Sequence, residues 1–321
     1  MQLYEVKMPK HELGLSARHL PAEIQAVHDF IDSGIPENTI KSYSGALNRL
    51  SRWLGDRQLN DVSLASYLTW LFAQGHAKAS AVLVLSAVNK MAKANNQPSP
   101  VGGLTKAASS SYRRQARDRG RGSVSGIRFE VADLLSARTE KDTLRGHRDA
   151  AILRVMSDGL LRVSELVGLE IRDIEFSGDG SATISVRHSK SDQEAEGATL
   201  YVGEPTAHLV SEWLQVLRER FGIRAGRVFH SVRKGEASVG ESISIKVVQL
   251  IVKQVVDEAH LPGRFGTHSF RIGSAESLAE RGCSLPQLVQ IGRWSSSEMV
   301  GHYTRKQLAS WSAMVRLRYG S

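Results

Sequence analysis

"SATISVRHSKSDQEAEGATLYVG" (181–203) alternates apolar and polar residues at its two ends around a polar centre. That pattern reads as a β-hairpin, with strands near 182–187 and 198–202. The flanking periodicity is helical. Before the hairpin come "EVADLLSAR" (130–138), "LRGHRDAAILRVMSDGL" (144–160) and "RVSELVGLEIRDIEF" (162–176), each expected as one helix. After it come "PTAHLVSEWLQVLRERFG" (205–222) and "SISIKVVQLIVKQVVDEAH" (242–260), and the end from 268 to 318 is mostly helical. A hairpin among helices makes the second half an α+β domain with a small antiparallel sheet.

The first half has no strand. Residues 20–35 read as a helix, with Pro21 near its start and Gly34 after its end. In "PENTIKSYSGALNRLSRWLGDR" (36–57), Asn38 or Thr39 can cap a helix whose Tyr43, Leu47, Leu50 and Leu54 share a face. "SLASYLTWLFAQG" (63–75) and "AKASAVLVLSAVNKMAKANN" (77–96) repeat the pattern. Four helices make a small bundle, and "NNQPSPVGG" (95–103) then breaks structure. A short helix from about 104 to 118 follows. "RRQARDRGRGSVSGIR" (113–128) has six arginines against Asp118 and the composition of a linker. It reads either as a solvated tether or as a strap that tracks phosphates. The expected domains are therefore 1–112, a basic linker over 113–128, and 129–321. Two lobes joined by such a strap suggest a C-shaped clamp around duplex DNA.

The totals agree with that partner. The chain has 321 residues, 42 Lys and Arg against 33 Asp and Glu, and a net charge of +9. Such a balance points to an anionic partner, nucleic acid foremost. One cysteine, Cys283, excludes an internal disulfide and Cys-rich zinc sites. The N-terminal stretch has no signal-peptide pattern, and no apolar run is long enough to span a membrane. A soluble cytoplasmic protein is the expectation. "DEAH" (257–260) spells a helicase box, but no G-x-x-x-x-G-K-[ST] loop accompanies it.

Several residues carry chemistry without deciding it singly. In "THSFR" (267–271), His268 and Arg271 are three apart at a helix start, which suits either an anion site or an ordinary first turn. In "GLLRVSELVGL" (159–169), Leu161, Leu166 and Leu169 can face a core and turn Arg162 to one edge. Taken alone, the stretch reads more simply as a surface arginine paired with Glu165 or Glu170. Lys190 sits at the hairpin tip, where a lysine is solvated or donates a proton to a leaving oxygen. "GRWSSSEMVGHYTR" (292–305) carries Trp294, His302 and Tyr303.

Together these residues resemble the tyrosine recombinases, or phage integrase family. The arginine of "GLLRVSEL", the lysine of "HSK", H-x-x-R in "HSFR", the tryptophan of "GRW" and the tyrosine of "HYTR" follow the family's order. Many members have histidine where Trp294 stands, and one branch has tryptophan. The resemblance implies a SAM-like core-DNA-binding domain in the helical half and a tyrosine-recombinase catalytic domain in the other. It implies that Tyr303 is the nucleophile forming a 3′-phosphotyrosyl bond. Arg162 and Arg271 bind the non-bridging oxygens. His268 bonds the phosphate or takes the tyrosine proton, Trp294 donates its indole N–H, and Lys190 protonates the 5′ oxygen. Glu165 orients Arg162. No metal or other cofactor is needed, because the arginines supply the positive charge.

Lys41, Tyr43 and Arg49 on one helix, and Lys78, Lys90 and Lys93 on another, are expected DNA contacts, as are Arg113, Arg114, Arg117, Arg119 and Arg121 of the linker. Ser242, Ser244 and Lys246 are further candidates. In the tail 308–321, Trp311, Met314 and Leu317 either pack on their own domain or dock into a neighbouring protomer, closing a ring of four. The partners expected are double-stranded DNA with an inverted-repeat site, a homotetramer on synapsed DNA that is monomeric when free, and an accessory protein in some settings. A catalytically silent DNA-binding regulator and a type IB topoisomerase-like nicking-closing enzyme are the competing readings.

Overall fold

The computed structural model of the chain describes residues 37–95, 97–116, 119, 124–139, 142–187, 197–310 and 318. They divide into two compact units, with the boundary between Gly122 and Ser123.

The first unit is helical: α1 (Glu37–Leu54), α2 (Asp61–Ala73), α3 (Lys78–Ala94) and α4 (Gly103–Gln115). Its core holds Leu50, Leu64, Leu68, Leu71, Val84, Val88 and Tyr112, drawn from all four helices. Asn60 begins α2 with a capping box: its Oδ1 accepts Ser63 N–H and Ser63 Oγ accepts Asn60 N–H, both at 2.9 Å. Asp61 then ties α2 to the start of α4, accepting N–H bonds from Gly102, Leu104 and Thr105 at 2.9, 3.0 and 2.9 Å. Bonds from Thr105 first, and from the other amides, hold this carboxyl below its ordinary value. The helix expected over 20–35 lies outside the described residues. Asn38 and Thr39 do not cap α1, which already includes Glu37; they lie in its first turn, and the Asn38 carbonyl accepts a bond from Ser42 Oγ.

The second unit comprises α5 (Phe129–Ala137), α6 (Leu144–Asp158), α7 (Val163–Gly168), a 3-10 turn (Ile171–Asp173), β1 (Ile174–Phe176), β2 (Ala182–Val186) and β3 (Ala198–Val202). It continues with α8 (Glu204–Phe221), α9 (Ile245–Glu258), α10 (His268–Glu280), α11 (Leu285–Gly292) and α12 (Ser297–Ser310). The described strands form one antiparallel sheet in the order β1-β2-β3, with Ile174 opposite Ile184 and Ile184 opposite Leu200. Ala182, Ile184, Val186 and Val202 face the core while Tyr201 faces outward, as period-2 patterning requires. Helix α6 runs through the middle, with Ile152, Leu153 and Met156 buried. Trp213 of α8 is fully covered and donates its Nε1–H to the Val228 carbonyl at 2.7 Å.

The single helix expected over 162–176 is a correction. Helix α7 ends at Gly168 because the backbone beyond it finds tertiary partners: Val228 N–H donates to the Leu169 carbonyl at 2.9 Å and Ile171 N–H to Gly226 at 2.8 Å. Residues 174–176 then pair with β2. Strand pairing outcompetes the local helical pattern. Parts of the expected linker 113–128 belong to the two units. Arg113 and Arg114 occupy the last turn of α4, while Ile127 is buried in the second unit and donates its N–H to Ser269 at 2.8 Å. That contact sets α10 in place, and it requires Gly273, whose added Cβ would lie 2.1 Å from the Ile127 carbonyl.

Candidate functional site

A separate small core forms where α6 ends and α10, α11 and α12 meet. It contains Leu160, Ala275, Ala279, Leu288, Trp294 and Val300. The candidate site is built on it.

Arg162 follows the α6–α7 turn as the N-cap of α7. Leu161, Leu166 and Leu169 are buried as expected, which anchors the segment and leaves Arg162 at its edge. Glu165, one turn later, is 1% exposed in its side chain. Its Oε2 accepts the Arg162 backbone N–H at 2.9 Å, and its Oε1 takes Arg162 Nη1 at 2.6 Å. Arg162 Nη2 also donates to the Arg293 carbonyl at 3.3 Å. The buried carboxylate therefore holds Arg162 through both its backbone and its side chain.

Helix α10 begins at His268, and Arg271 lies one turn along it. The two diverge in exposure. His268 is exposed, whereas Arg271 is 1% exposed and donates Nη1 to the Leu160 carbonyl and Nη2 to the Gly292 carbonyl. The Arg271 guanidinium stacks 4.1 Å over the Trp294 ring. Trp294 is held by Gly292, where an added Cβ would lie 1.6 Å from the indole. Tyr303, half-buried on α12, meets His268 edge-on, with centroids 5.9 Å apart and planes at 71°.

The site is strongly cationic. Burial, then repulsion from Arg162 and Arg293, lowers the Arg271 pKa to about 9, partly offset by Glu165 and Tyr303. Although His268 keeps an exposed face, desolvation of its ring first, and then Arg271 and Arg162, lower its pKa and favour the neutral form. Arg293 was not singled out in the sequence. Its side chain is 10% exposed and pairs with Glu165 at 3.0 Å; desolvation lowers its pKa most, the Glu165 carboxylate opposes that shift, and Arg162 adds to it. The signal available in the sequence was its place between Gly292 and Trp294.

The structure thus brings together Arg162, Glu165, His268, Arg271, Trp294 and Tyr303. Lys190 lies outside the described residues, as do Arg117, Arg121, Trp311, Met314 and Leu317. Among the described residues, no group of three or more His, Cys, Asp or Glu side chains is placed to hold a metal ion, and no helix is long and apolar enough to cross a membrane. Lys41 and Arg49 on α1, and Lys78, Lys90 and Lys93 on α3, are exposed. Tyr43 is half-buried and packs on the core of the first unit. Arg113 and Arg114 are exposed, but Arg119 lies 3.8 Å over the Phe72 ring and donates to the Phe72 carbonyl. Ser242 is exposed, and Lys246 is exposed in the first turn of α9. Ser244 caps that helix, its Oγ accepting Val247 N–H at 3.3 Å.

The chain is similar to known proteins. The "Phage integrase family" model matches residues 127–309, and the "Phage integrase, N-terminal SAM-like domain" model matches residues 30–94. The chain is 28% identical over 282 residues to an integrase/recombinase xerD homolog of Selenomonas ruminantium, covering 83% of this chain and 81% of that one. It is 24% identical over 269 residues to the recombinase cre of Escherichia phage P1, covering 78% and 77%. Among solved structures, the XerH site-specific recombinase bound to palindromic difH substrate superposes with a TM-score of 0.63 at 16% identity, over 87% of this chain and 80% of that one. A lambda integrase dimer bound to a COC' core site gives 0.57 at 18% identity, over 89% and 95%. With more than half of its length matched by that family model, on top of the residue cluster just described, the chain belongs to the phage integrase family, the tyrosine recombinases.

Proposed function

We propose that the chain is a site-specific DNA recombinase that cuts and rejoins duplex DNA through a 3′-phosphotyrosyl intermediate. The observation that carries this reading is the edge-on approach of Tyr303 to His268, which shares one helical turn with the buried Arg271. Tyr303 Oη attacks the scissile phosphorus and the bond to the 5′ oxygen breaks. The phenol proton passes to the neutral His268 imidazole. Arg162 and Arg271 take the non-bridging oxygens, where negative charge spreads in the transition state. The Trp294 indole N–H adds a donor, and Lys190 protonates the departing 5′ oxygen. The phosphotyrosyl ester keeps the bond energy, so a 5′ hydroxyl from a second strand attacks it, restores the phosphodiester and releases Tyr303.

Exchange of one strand pair and then the other passes through a Holliday junction. We read the substrate as a simple inverted-repeat core site of the Cre type, used in dimer or cointegrate resolution or in excision, in the cytoplasm on the nucleoid. Four protomers act on the synapsed DNA, with Trp311, Met314 and Leu317 docking in trans. The exposed lysines of α1 and α3, Arg113, Arg114 and Lys246 supply phosphate contacts, and the linker arginines add further ones.

The test is a nicked suicide duplex carrying an inverted repeat selected from the DNA flanking the gene, incubated with protein and run on a denaturing gel. A covalent adduct that disappears with Tyr303→Phe is expected, with duplex binding retained. Tight binding without adduct would make the chain a regulator, and adduct on any supercoiled DNA would make it a nicking-closing enzyme.

A further inference from the structure

The residue before Trp294 is built at odds with its local surroundings. Arg293 ends α11 with φ 55° and ψ 45°, in the left-handed region. Glycine or asparagine occupies such a position at little cost, whereas other side chains are strained there by about 1 kcal/mol. The side chain does not reach out towards solvent; it is 10% exposed. Its Nη1 and Nη2 donate to the Gly159 carbonyl at 3.2 Å each, and Nη2 donates to the Leu160 carbonyl at 3.2 Å. Leu160 is itself left-handed, at φ 46°. Nη2 also pairs with Glu165 Oε2 at 3.0 Å, while Glu165 Oε1 holds Arg162. The Arg293 carbonyl meanwhile accepts Arg162 Nη2. Arg293 therefore grips Arg162 from two sides, once through Glu165 and once through its own backbone.

The charges make that grip consequential. Arg162, Arg271 and Arg293 surround one carboxylate, Glu165, so these four described groups sum to +2. Without Arg293 they sum to +1, and the buried carboxylate is left to the two arginines that must meet a phosphate. We propose that Arg293 is a positioning residue: by sharing the charge of Glu165 it leaves Arg162 oriented yet able to bind the scissile phosphate. The inference rests on the function proposed above and adds a residue to its machinery. Repulsion from Arg293 also contributes to the lowered pKa of Arg271, which an arriving phosphate would relieve.

Arg293→Gly is the test, because glycine keeps the left-handed backbone while deleting the side chain and its guanidinium. Two readouts are taken: the affinity for inorganic phosphate by calorimetry, and the rate of covalent adduct formation on the nicked duplex. Arg293→Gly is expected to weaken phosphate binding by about tenfold, the size of one charge-assisted contact, and to slow adduct formation by at least as much, with duplex affinity unchanged. Glu165→Gln added to Arg293→Gly removes the uncompensated carboxylate and should recover most of the lost phosphate affinity. Millimolar guanidinium should partly restore the single variant, and Arg293→Lys, which keeps the charge without the fork, should fall between the two. An Arg293→Gly protein equal to wild type in both readouts would overturn the proposal. So would a double variant that binds phosphate more weakly than Arg293→Gly alone, since a merely structural arginine predicts additive losses. A wild-type chain that shows the expected phosphate order but forms no adduct would sink the recombinase reading while leaving the role of Arg293 standing.

Discussion

Replacing Arg271 with methionine should make the DNA-free protein more stable while destroying its chemistry. The guanidinium is 1% exposed, and its pKa is pushed down from its ordinary value to about 9, chiefly because burial strips it of water and then because Arg162 and Arg293 repel it. At about 1.4 kcal/mol per pH unit, that difference corresponds to about 5 kcal/mol of unfavourable charge burial at neutral pH. Methionine occupies similar space without charge. Against the gain stand two hydrogen bonds, to Leu160 and Gly292, worth about 1 kcal/mol each, and stacking on Trp294 worth about 1 kcal/mol. A net stabilisation of about 1–3 kcal/mol remains, which raises the melting temperature by about 2–10 °C for a unit of this size. The pH dependence has a definite sign. A base whose folded pKa is depressed destabilises the fold fully below that value, and the penalty begins to shrink only above it, vanishing at the pKa of the unfolded chain. Wild type should therefore gain on Arg271→Met as pH rises through about 9. Calorimetric melting of both proteins from pH 7 to pH 10, with adduct formation measured alongside, checks it. An Arg271→Met protein that melts below wild type at pH 7, or a gap that widens towards pH 10, would refute the reasoning.

Two further outcomes are expected. Asp61→Asn should lower the thermal stability of the first unit at pH 7, because Asp61 accepts three amide N–H bonds at the start of α4 and its carboxyl is held below its ordinary value. A depressed acid contributes stability above its unfolded pKa and loses it as pH falls through the folded one, so the two melting curves should converge in strong acid. Lys190→Ala should slow cleavage by orders of magnitude on ordinary DNA and recover on a duplex with a bridging 5′ phosphorothiolate, whose leaving group needs no proton; gel assays of the two substrates decide it, and absence of recovery removes Lys190 from the acid role.

Much of this was legible from the amino-acid order. Apolar residues at helical spacing marked α2, α3, α6, α8 and α9 to within a few residues, and the alternation over 181–203 marked β2 and β3. The candidate side chains for the proposed chemistry were legible too, because a phosphodiester attack needs particular residue types, and those types occur in a recognisable order. The errors came from long-range pairing. Residues 162–176 carry a helical pattern, yet Leu169 and Ile171 bond to a segment more than fifty residues away and residues 174–176 join a sheet. Nothing within that window announces such partners.

Sequence by itself determined the helices of the described first unit, the paired strands β2 and β3, the family and which side chains are candidates for the chemistry, since each depends on residue type and local spacing. Tertiary structure alone decided how those groups share charge. Arg271 is buried under Trp294 while His268, three residues away, is exposed, and the carboxylate of Glu165 stands between Arg162 and an arginine 128 positions further on. The strength of a charge depends on what water is excluded and which opposite charge lies within a few ångströms, and both are properties of the packed chain rather than of its order.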